Sequence, residues 1–425
     1  MSASATPTAR AAAAPWTCPF CPLLCDSYSV DVDAPVWTLI GSDCSRARDG
    51  LSRCGPSAPA AQASVDGKPC DAADAIAAAA SRLGNSRQPL FGGLGTDVAG
   101  ARALYPLACR TGAICDPAGG AALMQGLRAL QDRGTFTTTL AEVRMRADLI
   151  VCFGELPTPR YPEFLRRCGI GEGSTAQVVV LQPLGADGGD VEGVETMRID
   201  ADAHDLAAGL AAHVAGRVAA TAAGPGATAS DPLGFLAARL HAARYAVLVY
   251  ETARLPAHGA LIVEALNRVV AMLNQRTRAA AMPLGGGDGA ATVNAVHTWL
   301  SGLPLRTRAS PGGLEHEPLR FDAARLLADR AVDSLLWIAS FGTEPPPPAT
   351  DLPRIVLGHP ILAAAVQGQG TVYLPVSTPG IGSDAHLFRT DGSVLMPLRA
   401  LRDDGLPSVA HVLRGLTRAL QEAEG

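Results

Sequence analysis

The sequence predicts an α/β protein with more than one domain, and three observations carry that prediction. Strand-like and helix-like stretches alternate from about residue 70 onward. The strand-like stretches are continuous apolar runs, as expected of strands covered on both faces of a parallel sheet. At 425 residues the chain exceeds what one hydrophobic core organises, so two or three domains are expected.

Residues 1–15 end in an alanine run and lack the Leu/Val core of a signal peptide, so they read as a flexible tail. Residues 16–60 form a small cysteine-rich unit. Within it Tyr28–Val32 alternates and Val36–Ile40 is apolar and β-prone, which predicts a β-hairpin linking Cys25 to Cys44. A first α/β domain is expected over 61–220, with strands at Pro89–Leu94, Asp148–Phe153 and Gln177–Leu181. Its helices fall at Ala72–Leu83, Val98–Arg110 and Ala203–Ala215. Gly216–Asp231 is rich in Ala, Gly and Thr without a pattern, and sets a linker at 221–232. A second α/β domain follows over 233–380, with strands at Tyr245–Tyr250, Ser334–Ala339, Arg354–Leu357 and Thr371–Pro375. Its helices fall at Ala260–Leu273, Thr292–Leu300 and Asp322–Asp329, and Pro345–Pro348 is a loop. The segment 381–425 closes with a helix at Val409–Glu422.

Composition narrows the function. An apolar content of 48% excludes bulk disorder, while only 18% charged residues suggests surface buried against partners. The net charge is −5, and the longest basic stretch, Arg160–Arg167, is short and interrupted, so no nucleic-acid partner is expected. No long run of strongly apolar residues predicts a membrane span. The ten cysteines are unevenly spread in a long chain, unlike a secreted disulfide framework, which points to a reducing cytoplasm.

The most informative motif is Trp16-Thr-Cys-Pro-Phe-Cys-Pro-Leu-Leu-Cys-Asp26. Cys18, Cys21 and Cys25 in C-x2-C-x3-C spacing bring three thiolates into one loop, and four thiolates hold a [4Fe-4S] cluster. Cys44, directly after the predicted hairpin, and Cys54, in a Gly-Pro turn, compete to be the fourth ligand. The same sulfurs suit a structural zinc ion, or stand as buried thiols without metal. Cys70, Cys109, Cys115, Cys152 and Cys168 are scattered, and Cys152 reads as a core thiol.

Other signals are weaker. Gly285, Gly286 and Gly287 follow a strand-like segment and precede a helix, where backbone amides could cradle a phosphate; a plain glycine turn is the commoner reading of a lone Gly-rich loop. The embedded Gly-Asp-Gly matches the start of a thiamine-diphosphate motif, but Gly313–Glu315 lacks the asparagine that motif needs. His297 and His316 read as solvated-loop or satisfied core positions, with Trp299 on the helix of His297, and His359 before Pro360 reads as a turn residue. Asp384, Arg389 and Asp391 read as solvated charges around a β-turn at Thr390–Ser393. No Ser-His-Asp, G-x-S-x-G or Walker pattern occurs, and no catalytic residue is assigned.

The segments Cys18–Asp26, Ser42–Leu51, Thr139–Val151, Asn294–Pro304 and His386–Val394 occur in an order that resembles the molybdopterin-dependent oxidoreductases, and within them the B subunit of formylmethanofuran dehydrogenase. The resemblance implies a multi-domain molybdopterin-oxidoreductase-like fold with an N-terminal iron–sulfur unit, and favours Cys44 as fourth ligand. It also places Gly285–Gly287 and the loop of Asp384 to Asp391 near a pterin. Active members bind tungsten or molybdenum through a cysteine followed by histidine. At the matching place, near Ala121–Leu123 in Gly112–Met124, there is neither, so a molybdenum or tungsten pterin is expected to be absent. The family has a bacterial branch in a four-subunit formyltransferase/hydrolase complex of tetrahydromethanopterin-linked one-carbon oxidation, formaldehyde to formate. A scaffold subunit of such a complex is the expected role, with the other subunits as partners. The alternatives are an active oxidoreductase of formate or formylmethanofuran, with Cys109 or Cys115 as metal ligand, and a zinc-stabilised structural protein.

Overall fold

The computed structural model of the chain describes residues 15–56, 59–186, 189–218 and 231–424. The expected tail at 1–15 lies outside them save for Pro15, and the expected linker at 221–232 save for Asp231 and Pro232. In chain order the described strands are β1 (Ser29–Asp31), β2 (Thr38–Ile40), β3 (Ser64–Val65), β4 (Lys68–Pro69), β5 (Pro89–Gly95) and β6 (Ile114–Pro117). They continue with β7 (Leu149–Phe153), β8 (Gln177–Gln182), β9 (Glu195–Arg198), β10 (Tyr245–Glu251), β11 (Arg278–Leu284) and β12 (Thr307–Ser310). The last are β13 (Gly313–His316), β14 (Ser334–Ala339), β15 (Arg354–Gly358), β16 (Thr371–Pro375), β17 (Ala385–Phe388) and β18 (Leu395–Leu398).

Apolar runs become central strands because helices cover both faces: β5, β7 and β14 are buried at every residue. Between them run amphipathic helices whose starts are set by aspartates. Asp71, Asp97, Asp202 and Asp322 each accept a hydrogen bond from an amide of the first turn. Asp231 does the same for the helix Pro232–Ala242, with proline at its first position.

Two large sheets result. One has five parallel strands in the order β11-β10-β7-β8-β9, so the chain winds from β7 to one edge and returns through β10 to the other. The other has nine strands in the order β13-β12-β6-β5-β14-β15-β16-β3-β4, parallel from β6 to β16 and antiparallel outside. The hairpin β1–β2 forms between Cys25 and Cys44 as the alternation of Tyr28–Val32 predicts, and β17–β18 is a second hairpin.

The sheets correct the expected division into 61–220 and 233–380. Each of those ranges supplies strands to both sheets: β5 and β6 join β14, whereas β7 to β9 join β10. The five-stranded sheet is an insertion between β6 and β12. Buried apolar strands have no local preference for a partner, so pairing follows the crossover helices and not proximity in sequence.

The N-terminal unit does not have a core of its own. Phe20, Leu23 and Tyr28 share one apolar cluster with Ile150, Val180 and Val247 of the five-stranded sheet. Among the described residues no helix is long and apolar enough to cross a membrane.

Candidate functional site

The cysteine loop is built by short-range hydrogen bonds. The Cys18 amide donates to the Cys25 carbonyl at 2.9 Å, and the Leu24 amide to that of Cys21 at 3.1 Å. The indole of Trp16 donates to the Gly380 carbonyl at 2.9 Å and anchors the loop to the body of the protein. The β1–β2 hairpin then returns the chain to Cys44, which starts the helix Ser45–Cys54. Its amide donates to Ser42 Oγ at 2.9 Å, and Ser42 Oγ donates to Glu163 at 2.6 Å.

Cys18, Cys21, Cys25 and Cys44 are all buried in the same cluster. Burial pushes the Cys18 thiol well up, and the neighbouring Cys21, Cys25 and Cys44 push it further. Cys21 is pushed up to about 12 by burial and then by Cys25, with Arg46 acting the other way. Burial also raises Cys25, opposed by a hydrogen bond with Tyr28. Burial thus holds Cys18, Cys21 and Cys25 in their neutral form, and an anionic form of this buried nest would need a cationic centre beside it. Among the described residues no three His, Cys, Asp or Glu side chains gather as they would around a single metal ion.

Cys54 points elsewhere. Its sulfur lies 3.3 Å from His359 Nε2, beside a cavity of about 310 Å³ that Arg53, Thr378 and Arg402 also line. His359 Nδ1 accepts from the Ile361 amide at 3.1 Å, so the proton sits on Nε2 and is donated to sulfur. Burial and then Arg53 hold His359 down at about 4, and burial lifts Cys54 to about 12. The turn residue expected at His359 is therefore buried and partnered. Cys44 is among the groups that act on Cys18, Cys21 and Cys25, whereas Cys54 is partnered with His359.

Next to the nest lies a cavity of about 530 Å³ between the two sheets, lined by Pro22, Arg46, Leu123, Leu127, Tyr161 and Asp288, among others. Gly285, Gly286 and Gly287 line it too. They are the turn from β11 into the helix Ala290–Ser301, and they turn tightly: the Ala290 and Ala291 amides donate to the Gly287 and Gly286 carbonyls at 3.0 and 3.2 Å. A Cβ on Gly286, at φ 71°, would meet Ala291 at 2.5 Å. Those two amides are thus engaged within the loop.

Ala122 and Leu123 line the same cavity, on the helix Gly120–Arg133 that sequence reading missed. They stand where the resemblance puts a metal-ligating motif, and neither side chain donates to a metal. Cys115 is buried within β6, paired with Thr307 of β12, and Cys109 is half-buried on the helix Val98–Thr111; neither lines the cavity.

Several charged residues prove structural. Arg160 binds Glu251 through two hydrogen bonds of 2.7 and 2.9 Å, and Arg167 binds Asp26 at 2.7 Å, so the basic stretch is neutralised in place. Arg389 and Asp391, expected to be solvated, are buried: Arg389 Nε donates to Asp391 Oδ2 at 2.8 Å, which also accepts from the Leu140 amide at 3.2 Å. The turn there closes from the Gly392 amide to the Arg389 carbonyl at 2.8 Å, one residue earlier than expected. Thr390 of this loop reaches the cavity, and Asp384 instead accepts from the Ala400 amide at 2.8 Å. His297 is a satisfied core residue whose Nδ1 donates to the Leu303 carbonyl at 3.1 Å, and His316 Nδ1 lies 3.1 Å from the Arg306 carbonyl.

Sequence reading missed a carboxylate pair at the cavity edge. Glu344 is buried and accepts from the Phe341 and Thr343 amides at 2.8 and 3.1 Å, while the Thr343 hydroxyl donates to Asp288. Burial and then Asp288 push Glu344 up to about 8, and burial raises Asp288 as well. A Glu followed by prolines, in Glu344-Pro345, was the available signal, and it looked like a loop.

No protein-family profile matches the chain. It is 31% identical to the B subunit of the formyltransferase/hydrolase complex Fhc of Methylorubrum extorquens over 374 residues, which is 84% of this chain and 96% of that protein. It is also similar to a chain in the crystal structure of the formyltransferase/hydrolase complex FhcABCD from Methylorubrum extorquens in complex with methylofuran. That similarity has a TM-score of 0.71 at 29% identity and covers 85% of this chain and all of the other.

Proposed function

The chain belongs to the family of the formyltransferase/hydrolase complex B subunits, and from that premise we propose that it serves one-carbon metabolism as a component of such a complex. Its partners are the other subunits of that complex. Its role is that of a scaffold, with the chemistry of formyl transfer and formate release carried by those partners. The wider relationship is to the B subunit of formylmethanofuran dehydrogenase and the molybdopterin-oxidoreductase fold, supported by the ordered motifs and by two α/β sheets facing a shared cavity. Ten unpaired cysteines support a reducing compartment, the cytoplasm.

One observation carries the scaffold reading: Ala122 and Leu123 line the cavity where a molybdenum or tungsten ligand would stand. The residues present do not fit that metal centre, and no redox step is derived through it. The rival oxidoreductase would need Cys109 or Cys115 as ligand, and neither lines the cavity. A [4Fe-4S] cluster does fit the buried donor set, and Cys18, Cys21, Cys25 and Cys44 would hold it. It would supply folding free energy by joining the loop to the hairpin's return. A single zinc ion would draw four sulfurs within about 4 Å of one another, given Zn–S bonds near 2.3 Å.

The test is elemental and pterin analysis of anaerobically purified protein. The expected result is about four irons per chain, as in a cubane cluster, without tungsten, molybdenum or pterin. Cys44→Ser should lose the iron and Cys54→Ser should retain it. Stoichiometric tungsten or molybdenum with pterin would overturn the scaffold reading, and zinc without iron would overturn the cluster.

A further inference from the structure

The helices Val98–Thr111 and Val409–Glu424 pack side by side on the nine-stranded sheet. Leu104 and Leu107 of the first, with Leu413, Leu416 and Leu420 of the second, bury their inner faces in one core. Along their outer faces runs a groove of about 470 Å³ lined by Arg102, Pro106, Arg414, Thr417, Arg418 and Gln421.

Arg102, Arg414 and Arg418 are exposed, and among the described residues none of the three has a hydrogen bond or ion pair. By contrast Arg160 is matched by Glu251, and Arg306 by Asp116 and Asp322. Arg414 and Arg418 stand four residues apart, a like-charge spacing that destabilises an isolated helix, so folding alone does not account for them. The backbone adds a second feature. Pro106 lies inside its helix and has no N–H, so the regular helical hydrogen bond to the Arg102 carbonyl is missing.

Unpaired guanidinium groups flanking a groove favour carboxylates, which they bind through two parallel hydrogen bonds. The Gln421 amide, which lines the groove, suits the backbone of a peptide. Three cations on a chain of net charge −5 give no extended basic track for a phosphate backbone. We propose that this groove docks an Asp/Glu-rich segment of another subunit of the complex. The proposal rests on the reading of the chain as a complex subunit.

The experiment reconstitutes the full-length chain with its partner subunits and measures affinity across a salt series. Wild type should assemble, with affinity falling as salt rises. The variant Arg102→Glu/Arg414→Glu/Arg418→Glu should keep the thermal midpoint of wild type, bind its partners at least roughly tenfold more weakly at low salt, and lose much of the salt dependence. A neutral variant, Arg102→Gln/Arg414→Gln/Arg418→Gln, guards against misfolding and should fall between the two. Equal affinity and equal salt slope for wild type and the neutral variant overturn the docking groove and leave the complex reading standing. Failure of wild type to assemble at any salt overturns both.

Discussion

At the scale of single residues, the enclosure of Glu344 sets a pH response. Its carboxyl is pushed up to about 8 by burial and by Asp288, against an ordinary value near 4.5 in the unfolded chain. Between these values the folded protein holds a proton that the unfolded chain releases. Stability from this group is therefore complete below about pH 4.5, declines as pH rises, and is lost by about pH 8. Glu344→Gln should flatten that part of the curve of thermal midpoint against pH, an effect on the order of a few kcal/mol across the window. A slope unchanged by the substitution would mean that another group sets it. The cysteines show what spacing reveals at this scale. Cys18, Cys21 and Cys25 were legible as a triplet because three residues close in sequence cannot be far apart in space. The returning hairpin put Cys44 ahead of Cys54 in the sequence, but the partner of Cys54, His359, was not legible, because it lies some three hundred residues away.

At the scale of elements, glycines report packing that propensity alone misjudges. Gly50 lies in the helix Ser45–Cys54, where alanine is intrinsically better by up to about 1 kcal/mol. A Cβ there would enter the ring of Phe20, which is fully buried beside Cys21. Gly50→Ala should cost about 1–3 kcal/mol through overpacking and loosen the cysteine loop. Gly126, in the helix Gly120–Arg133, makes the contrast, because its Cβ would meet only Thr252 at an ordinary 3.5 Å. Gly126→Ala should be neutral or stabilising by up to about 1 kcal/mol. Denaturant midpoints of the two variants test both, and the same sign in both would refute the packing account. Long elements with apolar runs or clear caps were legible, as β8 and the helix Ala72–Gly84 illustrate. Short strands such as β12 and β17 were not, since four residues carry too little periodicity to separate from loop.

At the scale of the whole molecule, the cysteine unit and the inserted five-stranded sheet depend on each other. Phe20 and Leu23 pack with Ile150, Val180, Val247 and Met282, each worth about 1.5–3 kcal/mol when fully buried. A chain lacking residues 1–60 should bind a hydrophobic dye and aggregate, and the isolated segment 16–60 should not fold without metal. A monomeric, cooperatively melting truncation would refute that interdependence. The sequence by itself determined the α/β class, the strand and helix runs, the cysteine triplet and the family, because these rest on periodicity, chain spacing and motif order. Only the tertiary structure decided which strands share a sheet, that Cys54 meets His359, that Arg389 and Asp391 are buried, and that Ala122 and Leu123 face the cavity. Those outcomes depend on contacts between residues separated by tens to hundreds of positions, and such contacts follow from close packing of the whole chain, which no local pattern encodes.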